Sequence, residues 1–435
     1  MDPTVIGLIG IIVLLILLFM GMPVGMTMMI VGFFGFAAVV DYKAAMGVFK
    51  TIFYTTGSGY TLTVIPLFVL MGQFAYYSGL SRQLYDTSHK WLGHLPGGLS
   101  VATVGAAAFF SAICGSSTAT AATFATVSLP EMKKYNYDDS LATGSIVAGG
   151  TLGILIPPSV GFILYGVITG QSIGKLFAAG LLPGLLLALC YMSAIVIQAA
   201  RNPKLGPPAA KVPWKERFRS LIEVLPVVFL FVFVIGGIFA GLFTANEGAA
   251  IGAFGAFLYL IYRRRASIEN ILKSLADTIQ TTAMIFLIII GAYVFGYFLA
   301  VTRIPMNLAD AIASLDVSRY IIVILILLLY VGLGCLMDAL AMVLLTVPIF
   351  YPVVVTTLGF DPIWFGVIMV MVMEMGMITP PVGMNIYIVK GVAGDSLGIG
   401  SIFKGALPHV LAIVAASAIL LIFPQIALIL PNLLY

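Results

Sequence analysis

The stretches Gly153–Ser159 (GILIPPS) and Gly376–Gly383 (GMITPPVG) each place two adjacent prolines at the centre of a long apolar run. A proline lacks the backbone N–H and clashes with the preceding helical turn, and the residue before it is disfavoured in the helical conformation. A pair of prolines therefore ends an α-helix and leaves carbonyl oxygens without partners. We predict two discontinuous helices, at residues 141–170 and 362–394.

The composition of the chain places these breaks inside a membrane. Of its 435 residues, 61% are hydrophobic and only 9% are charged, whereas soluble domains carry about 25% charged residues. A bilayer core needs about 20 apolar residues per helical span, so the chain has room for roughly ten spans. We therefore expect an all-α polytopic membrane protein with a retained first span near its N-terminus. This composition excludes a cytosolic enzyme and a DNA-binding protein.

The proline pairs belong to a repeat that runs through the chain. At a spacing of 223 residues, Pro3, Gly25, Gly32, Asp138, Gly153 and Pro157-Pro158 recur as Pro226, Gly248, Gly255, Asp361, Gly376 and Pro380-Pro381. We predict two copies of one unit, residues 1–200 and 220–435, joined by a basic, proline-rich linker at 201–219. The positive-inside rule places this linker in the cytoplasm.

The distribution of basic residues indicates that the two copies are inverted. An odd number of spans in each copy would invert the second copy relative to the first. With this layout, only five of the 21 lysines and arginines lie on the side of the membrane that faces away from the cytoplasm: Lys43, Lys50, Lys175, Arg303 and Arg319. The excess of positive charge on the cytoplasmic side is the one that membrane insertion requires.

Each copy also contains an apolar segment with a polar interruption. In residues 95–134 the sequence Cys114–Thr118 (CGSST) leaves arms of roughly 15 residues, about 23 Å as helix, which is too short to span a bilayer. We predict a re-entrant helical hairpin there and a counterpart at residues 320–358, which turns near Gly334–Ala339. Irregular backbone at membrane depth is tolerated only where it lines a cavity or is buried in protein, and paired discontinuous helices mark a transporter's binding site.

Oxygen-bearing side chains cluster at these breaks. They are Ser116, Ser117, Thr118 and Ser159 in the first copy, and Asp338, Thr379 and Asn385 in the second. Oxygen ligands and free carbonyl groups suit a cation such as Na⁺, and the N-termini of half-helices favour an anion. A serine or threonine in such a helix also has a structural alternative, a bond to the carbonyl four residues earlier. A carboxylate in an apolar stretch is functional by default, which singles out Asp338.

Two further glutamates lie in or beside apolar runs, Glu374 and Glu247. Three roles stay open for each of them: a proton carrier, a structural partner for a neighbouring helix, or a group at the membrane interface.

Enzymatic motifs do not fit their surroundings. The GxSxG pattern occurs at Gly170–Gly174 and again at Gly394–Gly398, but neither copy has the strand-to-helix context of a nucleophile elbow. We expect these serines to cap the helices that follow them. The sequence contains no GxxxxGK[ST] loop, which would bind the phosphates of ATP. We therefore predict that transport is driven by an ion gradient. We also predict no enzyme activity, no cofactor and no transition metal. An ion channel and an H⁺-coupled carrier are alternatives with the same architecture.

Several long segments carry a family resemblance. They are Ser111–Thr120 (SAICGSSTAT), Pro130–Tyr137 (PEMKKYNY), Gly149–Gly166 (GGTLGILIPPSVGFILYG) and Gly170–Phe177 (GQSIGKLF), with GLGCLMDALA and GMITPPVGMNIYIV in the second half. In these segments and in their order, the chain resembles the large membrane subunit (M subunit, DctM-like) of tripartite ATP-independent periplasmic (TRAP) transporters. The resemblance covers nearly the whole chain.

The resemblance implies a function and a set of partners. The implied protein is a multi-pass protein of the bacterial inner membrane that imports an organic acid together with Na⁺: a C4-dicarboxylate, a sialic acid or a similar carboxylate. It would work with a small four-helix membrane subunit and a periplasmic substrate-binding protein, and without nucleic acid. The family is thought to operate as an elevator, in which both hairpins slide against scaffold helices, here residues 4–58 and 221–263.

The resemblance also implies which positions bind sodium and substrate. These binding residues lie at the breaks: Gly115, Ser116, Ser117, Thr118, Pro157 and Ser159 in the first half, and Asp338, Thr379, Pro380, Gly383 and Asn385 in the second. Relatives often carry Asn where this chain has Glu374. Arg303 is either a contact for the anionic substrate or the binding protein, or an ordinary interfacial arginine.

Overall fold

The computed structural model describes residues 2–314, 317–394 and 397–435, and every regular element in these ranges is helical. The α-helices are, in chain order, α1 Pro3–Phe19, α2 Val24–Val39, α3 Tyr42–Gly57, α4 Val64–Tyr77, α5 Leu80–Leu92, α6 Gly98–Cys114, α7 Ser117–Lys134, α8 Asp139–Leu155, α9 Val160–Thr169, α10 Ile173–Arg201, α11 Trp214–Phe239, α12 Ala245–Tyr262, α13 Ile268–Thr302, α14 Ile304–Ala313, α15 Arg319–Gly334, α16 Ala339–Tyr351, α17 Pro362–Gly376, α18 Met384–Ala393, α19 Ile399–Ile422 and α20 Gln425–Leu434. Asp395 and Ser396, in the second GxSxG segment, lie outside the described residues.

Length and composition make many of these helices membrane spans. Within the described residues, seven helical segments are long and apolar enough to cross a bilayer: Tyr60–Tyr77, Asp139–Thr169, Ile173–Arg201, Trp214–Phe239, Ile268–Thr302, Ala339–Thr357 and Ile399–Ile422. Large apolar side chains point outward from several helices, such as Ile12 on α1 and Phe229 on α11, each more than half exposed. An outward apolar surface of this kind suits lipid and not water. The prediction of an all-α membrane protein is confirmed.

Polar side chains cap many of the helix starts. Asp41 accepts from the backbone N–H of Ala44 at 2.8 Å, and Ser172 accepts from that of Lys175 at 3.3 Å. Each such cap satisfies a backbone donor at a helix N-terminus. The expectation that the serine of the first GxSxG segment caps the following helix is thereby confirmed.

Glu247 belongs to a capping box at the start of α12. Its carboxylate accepts from the backbone N–H of Thr244 at 2.8 Å, and the Thr244 hydroxyl accepts from the N–H of Glu247 at 3.3 Å. This reciprocal pair is a local helix start. Glu247 thus caps its own helix, a role that the three left open by the sequence analysis did not include.

A first group of helices, the scaffold group, consists of α1–α4 and α11–α13. Its longest member, α13, packs along α1, α2, α3 and α4, and α12 packs against α4 and α11. Glycines let α2 and α13 approach closely: a Cβ on Gly25 would lie 2.8 Å from the carbonyl oxygen of Leu287, and one on Gly32 would lie 2.7 Å from the nitrogen of Phe295. Side chains larger than hydrogen cannot occupy these two positions without moving the helices apart.

A second group, the hairpin group, consists of α6–α10 and α15–α19. In its first half α8 packs between α6 and α7, and in its second half α17 packs against α15 and α16. The halves exchange partners, because α7 packs against α18 of the second half and α16 packs against α9 of the first. The hairpin group meets the scaffold group where α6 contacts α4 and where α16 contacts α13.

The connection between the two halves is shorter than the predicted linker of 201–219. Helix α10 continues through Arg201, and α11 begins at Trp214, so the non-helical stretch is 202–213. The charged residues after 213 are helical because Pro213 starts the helix and Arg217 is buried, with its guanidinium 5.0 Å from the centre of the Trp214 ring. Helices α4, α5, α13, α14 and α20 fall in segments to which the sequence analysis assigned no element.

The stretch 202–213 crosses the open end of the α6–α7 hairpin. The N–H of Gly97, just before α6, donates to the carbonyl of Gly206 at 3.0 Å, and the N–H of Asp138, just after α7, donates to that of Leu205 at 2.9 Å. The start of α6 and the end of α7 therefore lie at the same end of the molecule, beside the basic connection.

Candidate functional site

The first hairpin turns within two residues, Gly115 and Ser116. Gly115 ends α6 with a φ of +64°, a conformation that favours glycine. Ser116 starts α7, and its hydroxyl accepts from the N–H of Ala119 at 3.3 Å. The next two residues, Ser117 and Thr118, form the first turn of α7. A helix N-terminus with three successive hydroxyl side chains therefore lies at the tip of this hairpin.

The first proline pair breaks the helix between α8 and α9 as predicted. The peptide bond between Pro157 and Pro158 is cis, and the buried Ser159 restarts the helix by accepting from the N–H of Phe162 at 3.3 Å. This break packs against the hairpin tip: a Cβ on Gly115 would lie 2.9 Å from the carbonyl oxygen of Pro158. The first two breaks are therefore in direct contact.

The second half contains the same pair of breaks. Residues 335–338 separate α15 from α16, and Asp338 starts α16 by accepting from the N–H of Leu340 at 3.0 Å. Residues 377–383 separate α17 from α18 and include the cis bond between Pro380 and Pro381. The two breaks touch, since the N–H of Gly383, at a φ of +64°, lies 3.4 Å from the carbonyl oxygen of Cys335.

Ser117 joins the two halves through hydrogen bonds. Its hydroxyl donates to the Glu374 carboxylate oxygen Oε2 at 2.7 Å and accepts from the Asn385 amide nitrogen at 2.9 Å. The exposed fractions of Ser117, Glu374 and Asn385 are 1%, 0% and 0%. A buried polar contact thus connects the tip of the first hairpin with both parts of the second broken helix.

A cavity of about 460 Å³ opens beside this contact, at the boundary between the two helix groups. The hairpin group contributes the polar turn Gly115–Thr118, with Thr123 and Asp338. The scaffold group contributes polar side chains that the sequence analysis did not identify: Gln73 and Tyr76 on α4 and Thr281 on α13. These three residues belong to no sequence motif, and they line the cavity only because α4 and α13 pack together.

The cavity suits oxygen chemistry. Its wall carries one carboxylate, Asp338, together with hydroxyl groups and the N-terminus of α7, and no lysine or arginine is among the described residues that line it. Carboxylate, hydroxyl and carbonyl oxygens bind hard cations, whereas the N–H groups of a helix N-terminus bind anions. The same wall can therefore hold a cation and a carboxylate side by side.

The other predicted site residues lie behind or away from this wall. Pro157, Ser159 and Gly383 are in the breaks, and Asn385 is in the first turn of α18. None of these four residues lines the cavity. The hydroxyl of Thr379 donates to the carbonyl of Met375 at 2.6 Å, which is the structural alternative for such residues.

Two predicted positions are exposed. Pro380 is exposed in its break, and Arg303 is exposed between α13 and α14 with a φ of +56°. Arg303 does not line the cavity. Glu374, for which the sequence analysis left three roles open, lies at the centre of the contact between the halves. Its signal in the sequence is a single carboxylate within an apolar run.

Comparisons with known proteins give the family. Residues 11–426 match the family described as "Tripartite ATP-independent periplasmic transporter, DctM component". The chain is 37% identical over 380 residues to the C4-dicarboxylate TRAP transporter large permease protein DctM of Pseudomonas aeruginosa, covering 87% of this chain and 88% of that protein. It is 33% identical over 422 residues to the sialic acid TRAP transporter large permease protein SiaM of Vibrio cholerae, covering 96% of each.

The fold also resembles a solved structure. The crystal structure of the YdaH transporter of Alcanivorax borkumensis, described as having an unusual topology, superposes with a TM-score of 0.63 over 89% of this chain and 90% of that one, at 16% sequence identity. At that identity the likeness concerns the fold alone. On the evidence of the family match and of these relatives, the chain belongs to the DctM family of TRAP transporter large permeases, which are multi-pass transport proteins of the bacterial inner membrane and not enzymes.

Proposed function

We propose that this chain imports an organic acid across the inner membrane in symport with Na⁺. Relatives are named for C4-dicarboxylates, sialic acid and 2,3-diketo-L-gulonate. These compounds differ in size and hydroxyl content, but each presents a carboxylate. Another relative is named for isethionate, which carries a sulfonate in place of the carboxylate. The feature that all these compounds share is a negatively charged, oxygen-bearing group, which favours an anion-binding group that the permeases hold in common.

The observation that carries the proposal is the composition of the cavity wall. The first half brings the hydroxyl-rich turn Gly115–Thr118 and the second half brings Asp338 to one cavity of about 460 Å³. Sites for small molecules have volumes of about 300–1,000 Å³, so an organic acid of this class fits. Its carboxylate would meet the N–H groups at the start of α7, where the helix dipole is positive.

The cation would be held at the breaks. In the first half Ser116, Ser117 and Ser159 with neighbouring carbonyls would form one sodium site. In the second half Asp338, Thr379 and Gly383 with adjacent backbone would form another. Gly115, Pro157, Pro380 and Asn385 shape these breaks. The support is that both pairs of breaks are in contact and that irregular backbone of this kind is tolerated inside a membrane where it lines a cavity.

We further propose that the two halves are inverted repeats and that the hairpin group moves against the scaffold group as an elevator. The partner exchange of α7 with α18 and of α16 with α9 is the pattern that a two-fold relation between the halves would produce. The cavity lies at the boundary between the groups. A sliding movement along that boundary would carry the hairpin tips, and anything bound to them, across the membrane.

The proposed partners are a periplasmic substrate-binding protein and a small four-helix membrane subunit. The family description names a tripartite system. This chain covers only 60% of the isethionate TRAP transporter permease protein DctMQ of Oleidesulfovibrio alaskensis and 68% of the sialic acid permease protein SiaT of Haemophilus influenzae. The additional length in those relatives is consistent with a second membrane unit in the same polypeptide.

Reconstitution tests the function directly. The chain is purified with the small membrane subunit of the same organism and placed in liposomes, and the uptake of labelled succinate, sialic acid and diketogulonate is measured with the cognate binding protein. We expect saturable uptake that requires both the binding protein and an inward Na⁺ gradient. Ion conductance without substrate movement would favour a channel, and uptake driven by a pH gradient alone would favour an H⁺-coupled carrier.

A further inference from the structure

Two helices of the scaffold group each present one face to the cavity of about 460 Å³. The residues that line it recur every three or four positions: Val69, Gly72, Gln73 and Tyr76 on α4, and Thr281, Met284 and Ile285 on α13. Side chains at this spacing lie on the same side of a helix. Three of them, Gln73, Tyr76 and Thr281, are polar and uncharged and form the polar wall. The polar wall has no part in the sites proposed above for Na⁺ and for the carboxylate.

The side chains of the polar wall make no hydrogen bond within the described part of the chain. Their neighbours differ. The hydroxyl of Thr278, one turn before Thr281, donates to the carbonyl four residues earlier at 2.7 Å. The hydroxyl of Tyr77, next to Tyr76, donates to Asp277 at 2.8 Å. A threonine in a helix often makes the bond that Thr278 makes, and Thr281 leaves its hydroxyl free instead. The cavity therefore faces three groups with unused hydrogen-bonding capacity.

The polar wall lies close to the tip of the first hairpin. Gly72, next to Gln73 on α4, packs against the end of α6, because a Cβ on Gly72 would lie 3.2 Å from the Cα of Cys114. Cys114 leads directly into the turn Gly115–Thr118, where the carboxylate of the organic acid is proposed to bind. The turn and the polar wall line the same cavity. A molecule held by its carboxylate at the turn therefore has its remaining atoms beside the polar wall.

The chemistry of the polar wall suits hydroxyl groups and not a second carboxylate. An amide and a hydroxyl both donate and accept hydrogen bonds, as do the hydroxyl groups of a sugar-like acid. The Tyr76 ring adds an apolar face beside its polar tip. A second carboxylate would need a cation, but the described residues that line the cavity include no lysine, arginine or histidine, and their one charged side chain is Asp338. A charge without a partner in such a site is costly.

We propose that the polar wall is a subsite for hydroxyl groups, and that this permease selects a hydroxylated monocarboxylic acid over a dicarboxylic acid. The inference rests on the proposed function, because it assigns the far end of the molecule whose carboxylate binds at the first hairpin. Relatives are named for both classes, a C4-dicarboxylate and 2,3-diketo-L-gulonate, so membership of the family leaves the class open. A substrate without hydroxyl groups would leave the polar wall without partners, which weakens its binding.

A panel of acids tests the class of substrate. The permease is purified with the small membrane subunit and without the binding protein, which has a selectivity of its own. The melting temperature is measured in Na⁺ at rising concentrations of gluconate, sialic acid, hexanoate or succinate, since a ligand of the native state stabilises it. Gluconate and hexanoate have the same chain length and one carboxylate each, but only gluconate carries hydroxyl groups. We expect gluconate or sialic acid to half-saturate at a concentration about tenfold or more below those of hexanoate and succinate.

Substitutions in the polar wall test the residues. Gln73→Leu, Tyr76→Phe and Thr281→Val keep the approximate shape of each side chain and remove its hydrogen bonds. Each should raise the half-saturating concentration of the hydroxylated acid by about two- to tenfold and leave that of hexanoate unchanged. Thr278→Val is the matched control, because its hydroxyl is bonded within α13 and does not line the cavity. This control should bind every acid as the wild type does.

Gln73→Arg provides the converse test. The added cation should lower the half-saturating concentration of succinate by about tenfold or more. The inference is wrong if succinate binds wild-type protein as tightly as the hydroxylated acids, or if the polar-wall variants weaken gluconate and hexanoate equally. If a variant does not fold, the wild-type selectivity and the other variants decide. Na⁺-driven uptake with a preference for succinate would leave the proposed function standing and overturn the subsite, whereas no binding and no uptake of any acid would overturn both.

Discussion

Gly153→Ala should separate the first hairpin from the first broken helix. Gly153 lies in the last turns of α8, and a Cβ at this position would lie 2.6 Å from the carbonyl carbon of Ser116 and 2.8 Å from the Cα of Ser117. Both are backbone atoms, so no side-chain rotation can relieve the contact. The carbonyl oxygen of Ser116 would lie closer still, and ordinary contact begins at 3.4 Å. The hairpin tip must therefore move by about 1 Å to accept one methyl group, a displacement typical of overpacking.

The expected effect on stability is smaller than the effect on binding. Overpacking costs about 1–3 kcal/mol, and replacing a helical glycine by alanine returns about 1 kcal/mol. We therefore expect a free energy of unfolding lower by about 0–2 kcal/mol. A misplacement of about 1 Å can lower the activity of a site by about a hundredfold. We expect the half-saturating Na⁺ concentration for uptake to rise by roughly ten- to a hundredfold.

The assay is the Na⁺ dependence of uptake in liposomes, with the melting temperature measured on the same preparations. Gly332→Ala in α15 is the matched control, because nothing lies within 4 Å of a Cβ at that position. Gly376→Ala should repeat the effect in the second half, where a Cβ would lie 2.6 Å from the backbone of Gly334. Unchanged Na⁺ dependence in Gly153→Ala, with a normal melting temperature, would refute the reasoning that the packed breaks form the ion site.

Three further predictions concern single residues. Asp338→Asn can keep the cap on the N–H of Leu340 but loses the negative charge, so its uptake, measured as a function of Na⁺ concentration, should fall at least tenfold. Asp338→Ala also loses the cap and should in addition lower the free energy of unfolding by about 1 kcal/mol. Equal Na⁺ dependence of uptake in Asp338→Asn and wild type would remove Asp338 from the site. Cys114 lines the cavity. In a variant whose other two cysteines are alanine, labelling of Cys114 by a methanethiosulfonate reagent should block uptake, and bound substrate should slow the labelling. Full uptake after labelling would contradict this. A helix cap that stabilises the protein by about 1 kcal/mol is lost both in Ser159→Ala and in Ser172→Ala. Only Ser159→Ala should also impair uptake, because Ser172 lies outside the breaks. Equal uptake by the two variants would place Ser159 outside the site.

The breaks could be predicted from the sequence because their cause is local. The two proline pairs end α8 and α17 whatever the tertiary structure around them, because the missing N–H and the steric clash are properties of proline itself. The interruptions at Gly115–Ser116 and at Cys335–Asp338 were visible for a similar reason, as polar or small residues within apolar segments. The start of α11 was not visible, because the basic residues that follow Pro213 are polar in sequence and become helical only through contacts such as that of Arg217 with Trp214.

The contact between the halves could not be predicted in the same way. Ser117 meets Glu374 and Asn385 across 257 and 268 residues of chain, and no local pattern links those positions. The scaffold side of the cavity has the same property: Gln73, Tyr76 and Thr281 are ordinary polar residues on apolar helices until α4 and α13 bring them together. Periodicity and turn signals describe single segments, so they indicate where a site can form and not which side chains complete it.

The two halves share their backbone breaks but not their charges. At the repeat spacing of 223 residues, the position of Asp338 corresponds to Gly115 and that of Glu374 corresponds to Thr151, so both carboxyl groups belong to the second half. A symmetric arrangement would have placed four like charges around one low-dielectric site, where they repel strongly. In the proposed mechanism Na⁺ neutralises Asp338, and the described residues of the first half bring no charged side chain to the cavity, so the backbone N–H groups at the start of α7 can receive the organic anion. This asymmetry between the side chains of the two halves would let one cavity hold a cation and an anion together.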